Sequence, residues 1–264
     1  MELNKIHCID CIEGMRLLSD NYIDLTVTSP PYDDLRTYGN TLKWNFDIFK
    51  RIAQELYRVT KEGGVVVWIV NDKTKNGSET GTSFRQALYF KEVGFNLHDT
   101  MVYAKNNPTP SKTNRYQPAF EYMFVLSKGK PKIFNPIMED KIYKESRKEK
   151  WYNKDVDGEQ IKAKVSQTDK KLKLNIWHYS VGKHHTTKDS IAFKHPAIFP
   201  EKLAEDHILS WSNEGDIIMD IFMGSGTTAK MALINNRNFI GFEISEEYCD
   251  IANNRIDTYI NSSL

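Results

Sequence analysis

The stretch Asp216-Ile-Ile-Met-Asp220-Ile-Phe222-Met-Gly224-Ser225-Gly226-Thr227-Thr228 decides how the chain is read. Its first half is short, apolar and β-rich, and the two glycines then allow a tight turn and a close approach of backbone to ligand. A helical pattern follows over Thr227–Asn235, so a strand runs through a glycine turn into a helix start, whose unpaired N–H groups attract polar or anionic ligands. The next strand, Phe239–Ile244, carries Glu243 near its end, where a carboxylate can accept from the two hydroxyls of a ribose. Without Glu243, an ordinary turn with a helix cap would explain the glycines equally well.

Working outward, strands alternate with helices. Lys5–Ile9 reads as a strand, Cys11–Leu18 as a helix, and Ile23–Thr28 as a β-rich run that stops at Ser29-Pro30-Pro31. Asp47–Val59 has helical spacing of apolar residues and is expected to stop at Gly63-Gly64, ahead of Val65–Val70, a continuous apolar run typical of a buried parallel strand. Phe84–Val93 reads as a helix, and Leu97–Ala104 and Glu121–Leu126 as strands. A helix begins at Pro200 and the last one at Glu246. These patterns predict an α/β fold: a doubly wound, mostly parallel, Rossmann-like sheet.

From Lys130 to Lys194 the periodicity is lost and the composition becomes lysine-rich, with Trp151, Tyr152, Trp177, His178 and Tyr179 interspersed. The chain has 36 Lys+Arg against 35 Asp+Glu, yet Lys128–Lys188 alone holds 16 basic and 8 acidic residues, leaving the remainder acidic. Residues 130–194 are therefore read as an insert in a domain formed by 1–129 and 195–264. Phosphate neutralisation by Arg147, Lys148, Lys150, Lys170, Lys171 and Lys173 makes it a candidate target-recognition region on nucleic acid; the competing reading is a solvated charged surface.

The glycine turn lacks the lysine of a phosphate-binding P-loop and the third glycine of a dinucleotide fingerprint, which disfavours nucleoside triphosphates and NAD. S-adenosylmethionine, with adenosine, no phosphate and an amino-acid carboxylate for the helix N-terminus, suits it better. The second motif, Thr28-Ser29-Pro30-Pro31-Tyr32, leaves a strand through two prolines that stiffen the loop and turn its carbonyls outward. There the Ser29 hydroxyl and Pro30 carbonyl can accept both protons of an exocyclic amino group while Tyr32 stacks on a base. A Pro-Pro-Tyr peptide ligand is the alternative, but such ligands belong to proline-rich disordered segments, and this one ends a β-run.

Together the two motifs resemble the amino-methylating DNA methyltransferases, with (Asp/Asn/Ser)-Pro-Pro-(Tyr/Phe) as catalytic loop and Phe-x-Gly-x-Gly-Thr as cofactor loop. The catalytic loop comes first and the basic stretch lies between, similar to the permuted order called the β group. Asn175-Ile-Trp177, His195-Pro-Ala-Ile-Phe-Pro200-Glu-Lys202-Leu203 and Phe120–Lys128 also resemble family segments. The resemblance implies that Ser29, Pro30, Pro31 and Tyr32 handle the target base, with an aromatic from Phe120–Phe124 beside it. Phe222, Gly224, Ser225, Gly226, Thr227 and Thr228 are implied at the methionine side of S-adenosylmethionine, and Glu243 with Ile244 at its ribose. Asp10 is implied at its adenine, and Thr28, Asp220, Pro200, Lys202 and Leu203 complete the pocket. Ser at the first loop position accompanies cytosine N4 more than adenine N6, so an N4-cytosine methyltransferase acting on double-stranded DNA is expected, with N6-adenine as the alternative. A non-catalytic DNA-binding subunit of the same fold is the reading from another class, which the intact motifs oppose.

Three cysteines make no disulfide framework, and Cys8 and Cys11 lack a second pair at metal-site spacing; His184-His185 also lacks ligand partners, so no metal is expected. No apolar run approaches the about 20 residues of a membrane helix, and the start is unlike a signal peptide, so a cytoplasmic enzyme is expected, monomeric or homodimeric, with a restriction endonuclease as a candidate companion.

Overall fold

A computed structural model describes residues 1–31, 44–108, 110, 114–141, 152–154, 160–162 and 169–263. They fall into two compact units, Met1–Asn135 with Asn175–Leu264, and Pro136–Leu174. Tyr32, Arg147, Lys148 and Lys150 lie outside the described residues.

In chain order the elements of the larger unit are β1 (Lys5–Cys8), α1 (Cys11–Arg16), β2 (Ile23–Thr28), α2 (Phe46–Val59), β3 (Thr60–Val70), β4 (Thr74–Lys75), β5 (Ser78–Glu79), α3 (Thr82–Val93), β6 (Asn96–Lys105) and β7 (Phe120–Ser127). The smaller unit contributes β8 (Met138–Asp140), β9 (Tyr152–Lys154), β10 (Gln160–Lys162) and β11 (Lys170–Leu172). The chain returns through β12 (Ile176–Tyr179), α4 (Glu201–Trp211), β13 (Ile217–Asp220), α5 (Thr227–Ile234), β14 (Asn238–Glu243) and α6 (Glu246–Ser263).

Among the described residues eight strands form one sheet in the order β1-β14-β13-β2-β3-β7-β6-β12. Only β7 runs against its neighbours, β3 and β6; the other adjacent pairs are parallel. The strand order reverses between β13 and β2, because β2 leads through α2 to β3 on one side while β13 leads through α5 to β14 on the other. That is the topological switch point of a doubly wound sheet, where ligands bind beyond the carboxyl ends of the strands.

Local chemistry accounts for the elements. Asp10 caps α1 by accepting from the Ile12 and Glu13 N–H groups, and Asn45 caps α2 by accepting from Ile48 N–H. One face of α2 buries Phe49, Ile52, Ala53, Leu56 and Val59 against Trp68 and Phe90, the spacing of an amphipathic helix. The indole N–H of buried Trp68 is satisfied by Gln86 Oε1 at 2.9 Å. The second helical layer consists of α4, α5 and α6, in mutual contact, with α4 also against β2 and β3.

Two expectations change. Helix α2 ends at Val59 rather than at the glycines, because Thr60 already enters β3; Gly63 and Gly64 sit within that strand. A Cβ at Gly64 would lie 2.9 Å from the carbonyl oxygens of Asp24 and Lys61, so glycine there serves the close strand contact. The compact smaller unit is also narrower than residues 130–194: Ile176–Tyr179 pairs in parallel with Val102–Lys105 as an edge strand, and the 3₁₀ turn Ser190–Lys194 contacts α6. The smaller unit holds two antiparallel ribbons, β8 with β11 and β9 with β10. No helix among the described residues is long and apolar enough to cross a membrane.

Candidate active site

The switch point is tied together by one buried carboxylate. Asp220, at the end of β13, accepts from Thr28 Oγ1 at the end of β2 (2.6 Å), from Thr228 Oγ1 in α5 (2.8 Å) and from the Phe222 N–H (3.0 Å). Burial pushes its pKa up to about 6, against the three donors that pull it down. Because Thr28 immediately precedes Ser29-Pro30-Pro31 and Asp220 immediately precedes the glycine turn, this bond fixes the departure points of both loops side by side.

Beyond it opens a cavity of about 940 Å³ in the larger unit, and both loops line it. Ser29, Pro30 and Pro31 contribute from one motif, Phe222, Gly224, Ser225 and Thr227 from the other, joined by Asp10, Glu243 and Ile244. Gly224 (φ +52°) and Gly226 (φ +80°) adopt left-handed backbone on either side of Ser225. No side chain caps the N-terminus of α5, so its first turn offers backbone donors to an anionic group. Glu243 accepts three backbone N–H bonds, from Gly224 to Oε2 (2.8 Å) and from Ile244 and Ser245 to Oε1 (2.9 Å each). Oε2, which takes one of the three, keeps acceptor capacity for a hydroxyl. Burial holds the Glu243 carboxyl above the ordinary range despite those bonds.

Other expected residues lie elsewhere. Thr28, Asp220 and Thr228 form the buried layer beneath the cavity, and Gly226 packs against Ala252 of α6. Pro200 starts α4, Leu203 is in the core, and Lys202 pairs with Glu205 and Asp206 at the helix surface. None of these lines the cavity. From β7 it is Glu121 that reaches the cavity, whereas Phe120 and Tyr122 pack with each other and Tyr122 with Phe84. Strand alternation puts Glu121 on the other face from those rings.

Reading residues in isolation misses several contributors. Trp44 lines the cavity and meets Phe222 edge-on at 5.6 Å. His195 lines it too, its ring 4.3 Å from that of Tyr248 and its Nδ1 accepting from Ala197 N–H. Lys105 and Glu121 form an ion pair at 2.6 Å in the cavity wall beside Tyr103. The histidine stands in a segment that already resembles the family; the ion pair joins two strand ends that no local pattern connects. Cys11 lines the cavity as well, but burial drives its thiol pKa far upward, which leaves it protonated and unreactive.

Residues 23–254 match the family described as DNA methylase, N6_N4_Mtase. The chain belongs to the amino-methylating DNA methyltransferases. It is 59% identical over 254 residues to the orphan methyltransferase M.BamHII of Bacillus amyloliquefaciens, covering 92% of each chain. Among solved structures, this methyltransferase is similar to the M1.HpyAVI–SAM complex (TM-score 0.63, 25% identity, 96% of this chain and 98% of that one). It also shares its fold with the PvuII DNA methyltransferase (cytosine-N4-specific), with a TM-score of 0.70, 21% identity, and coverage of 97% and 90%. The methyltransferase therefore uses S-adenosylmethionine as methyl donor and DNA as substrate.

Proposed function

We propose that the methyltransferase modifies cytosine N4 of a base flipped out of double-stranded DNA, with Ser29 and Pro30 holding the amino group and the 222–227 loop and Glu243 holding the cofactor. The observation that carries this reading is the single cavity lined by both loops, with Thr28 and Asp220 bonded beneath them.

The residues present fit S-adenosylmethionine. An uncapped helix start suits its amino-acid carboxylate, Glu243 Oε2 a ribose hydroxyl, and Asp10, whose side chain is already anchored as the α1 cap, the adenine end. When bound, the cofactor supplies an electrophilic methyl on a sulfonium sulfur.

An exocyclic amine shares its lone pair with the ring and is a poor nucleophile. Ser29 Oγ and the Pro30 carbonyl, accepting one N–H each, favour a tetrahedral nitrogen with a localised lone pair and stabilise positive charge growing on it. Two prolines stiffen the loop backbone and with it hold the Pro30 carbonyl in place. Unpairing the base costs a few kcal/mol, which stacking, with Tyr32 as the expected platform, offsets.

Support for cytosine comes from the loop serine. Lys105, which donates to Glu121 in the cavity wall, keeps ammonium donors for the ring-nitrogen acceptor that either base presents beside its amino group. A restriction endonuclease of the same specificity is the expected companion in a restriction–modification system, although M.BamHII is named an orphan.

The test is transfer of labelled methyl from S-adenosylmethionine to duplex DNA, followed by digestion to nucleosides. Label in N4-methylcytosine, reduced about 10²-fold by Ser29→Ala, is expected; label in N6-methyladenine would overturn the choice of base.

A further inference from the structure

We propose that Arg255, on α6 and outside both sequence motifs, is a positioning residue for the methionine end of the cofactor site: it sets the conformation of the Gly224–Thr227 loop from behind. The proposal rests on the assignment of that loop to the cofactor.

The Arg255 side chain is 1% exposed, and a buried guanidinium is costly unless its donors are met. All five are. Nε donates to Asp189 Oδ2 (2.6 Å), Nη1 to Ser225 O and Thr227 Oγ1 (3.0 Å each), and Nη2 to Glu201 Oε1 (2.5 Å) and Thr187 Oγ1 (3.2 Å). Lys230 donates to the same two carboxylates at 2.7 Å each, so two cations face two anions. Burial alone would raise the Asp189 pKa, but the bonds from Lys230 and Arg255 bring it below the ordinary range, and the carboxylate stays ionised. With its charge balanced, Arg255 acts on the site through geometry instead of through a net positive field.

The loop needs such a hold. Ser225 stands between two glycines in left-handed backbone, and glycine makes its flanking peptides the least restrained in the turn. Arg255 binds the Ser225 carbonyl before Gly226 and the Thr227 hydroxyl after it, fixing both sides of the second glycine. From the opposite side Glu243 accepts the Gly224 N–H. The loop is thus clamped twice. The Glu243 clamp coincides with the ribose end, and the Arg255 clamp lies at the uncapped start of α5, where an amino-acid carboxylate would be received.

Lysine cannot span these acceptors, since its ammonium is a single point with three donors. The experiment is calorimetric titration of wild type and Arg255→Lys with two probes, S-adenosylhomocysteine, which carries the amino-acid group, and methylthioadenosine, which lacks it. Expected is a Kd for S-adenosylhomocysteine weakened about tenfold or more, with methylthioadenosine changed less than about twofold. Equal weakening of both, as general loosening of the fold would produce, or no change in either, overturns the proposal. Should Arg255→Lys fail to fold, Asp189→Asn, which loosens the Nε anchor while keeping the side-chain shape, is expected to show the same one-sided loss at smaller size; a two-sided loss or none overturns it. Thr227→Val distinguishes loss of the Arg255 clamp from loss of the loop's contact with the cofactor. If that variant weakens S-adenosylhomocysteine and Arg255→Lys does not, only the proposal falls; if Thr227→Val also has no effect, the loop assignment falls with it.

Discussion

With its carboxyl sealed beneath the junction of two loops, Asp220 accepts from Thr28, Thr228 and Phe222 and carries a pKa of about 6, against 3.8 for an ordinary aspartate. The folded state therefore holds this proton more tightly than the unfolded chain. Its stabilising contribution is complete below about pH 3.8 and is lost as the pH rises through 6. A shift of that size corresponds to about 3 kcal/mol at 1.36 kcal/mol per unit. Thermal unfolding between pH 4 and 7.5 should show wild-type Tm falling relative to Asp220→Asn by about 6–12 °C across the window, at roughly 2–4 °C per kcal/mol for a domain of this size. Parallel curves would mean that the side chain does not titrate there. Glu243 is raised in the same direction by burial and its charge also helps to raise Asp220, so the difference between the two proteins includes the loss of that mutual repulsion.

Among elements, α5 is the one whose start matters most, and Gly226 is its N-cap, at φ +80° and with no side-chain cap. An added Cβ would sit 3.1 Å from Ala252 Cβ on α6. Gly226→Ala combines left-handed strain of about 1–2 kcal/mol with crowding between α5 and α6. A fall in Tm of several degrees and a roughly tenfold loss of S-adenosylmethionine affinity are expected; a variant that binds normally would show that the turn tolerates an ordinary backbone. This turn is legible in the sequence, because strand, glycines and helix start are consecutive in the chain. So is β2, which reads as Ile23–Thr28 and folds with the same ends. The start of β3 is hidden, since glycine usually ends helices, and here it lets two strands approach. The β4–β5 hairpin, with Asn76 and Gly77 both at positive φ, follows a known turn signal too short to stand out between longer elements. Arg255 is not legible at all: its partners come from the 187–189 segment, α4 and the cofactor turn, and only the packing of α6 gathers them.

At the scale of the whole molecule, a chain of net charge +1 concentrates its positive charge in the stretch that includes the smaller unit. The cavity of the larger unit is lined by the acidic groups Asp10, Glu121 and Glu243, and we propose that the lysine-rich stretch, not this cavity, captures the DNA polyanion. If the smaller unit binds phosphates through β11 and the residues after it, Lys170, Lys171 and Lys173 should matter for DNA alone. Substituting all three by alanine is expected to weaken duplex binding at moderate salt and to lower the slope of log K against log[salt] by about 2–3, at roughly 0.9 for each phosphate no longer neutralised. S-adenosylhomocysteine affinity should stay within about twofold of wild type, because none of the three lines the cavity. A shallower slope with intact cofactor binding would place electrostatic capture in this unit, whereas an unchanged slope would make its charge a solvated surface and move the search for phosphate-binding groups to the larger unit. The two assays together decide whether division of labour between the units is functional, because a variant that merely disturbed folding would lower both affinities.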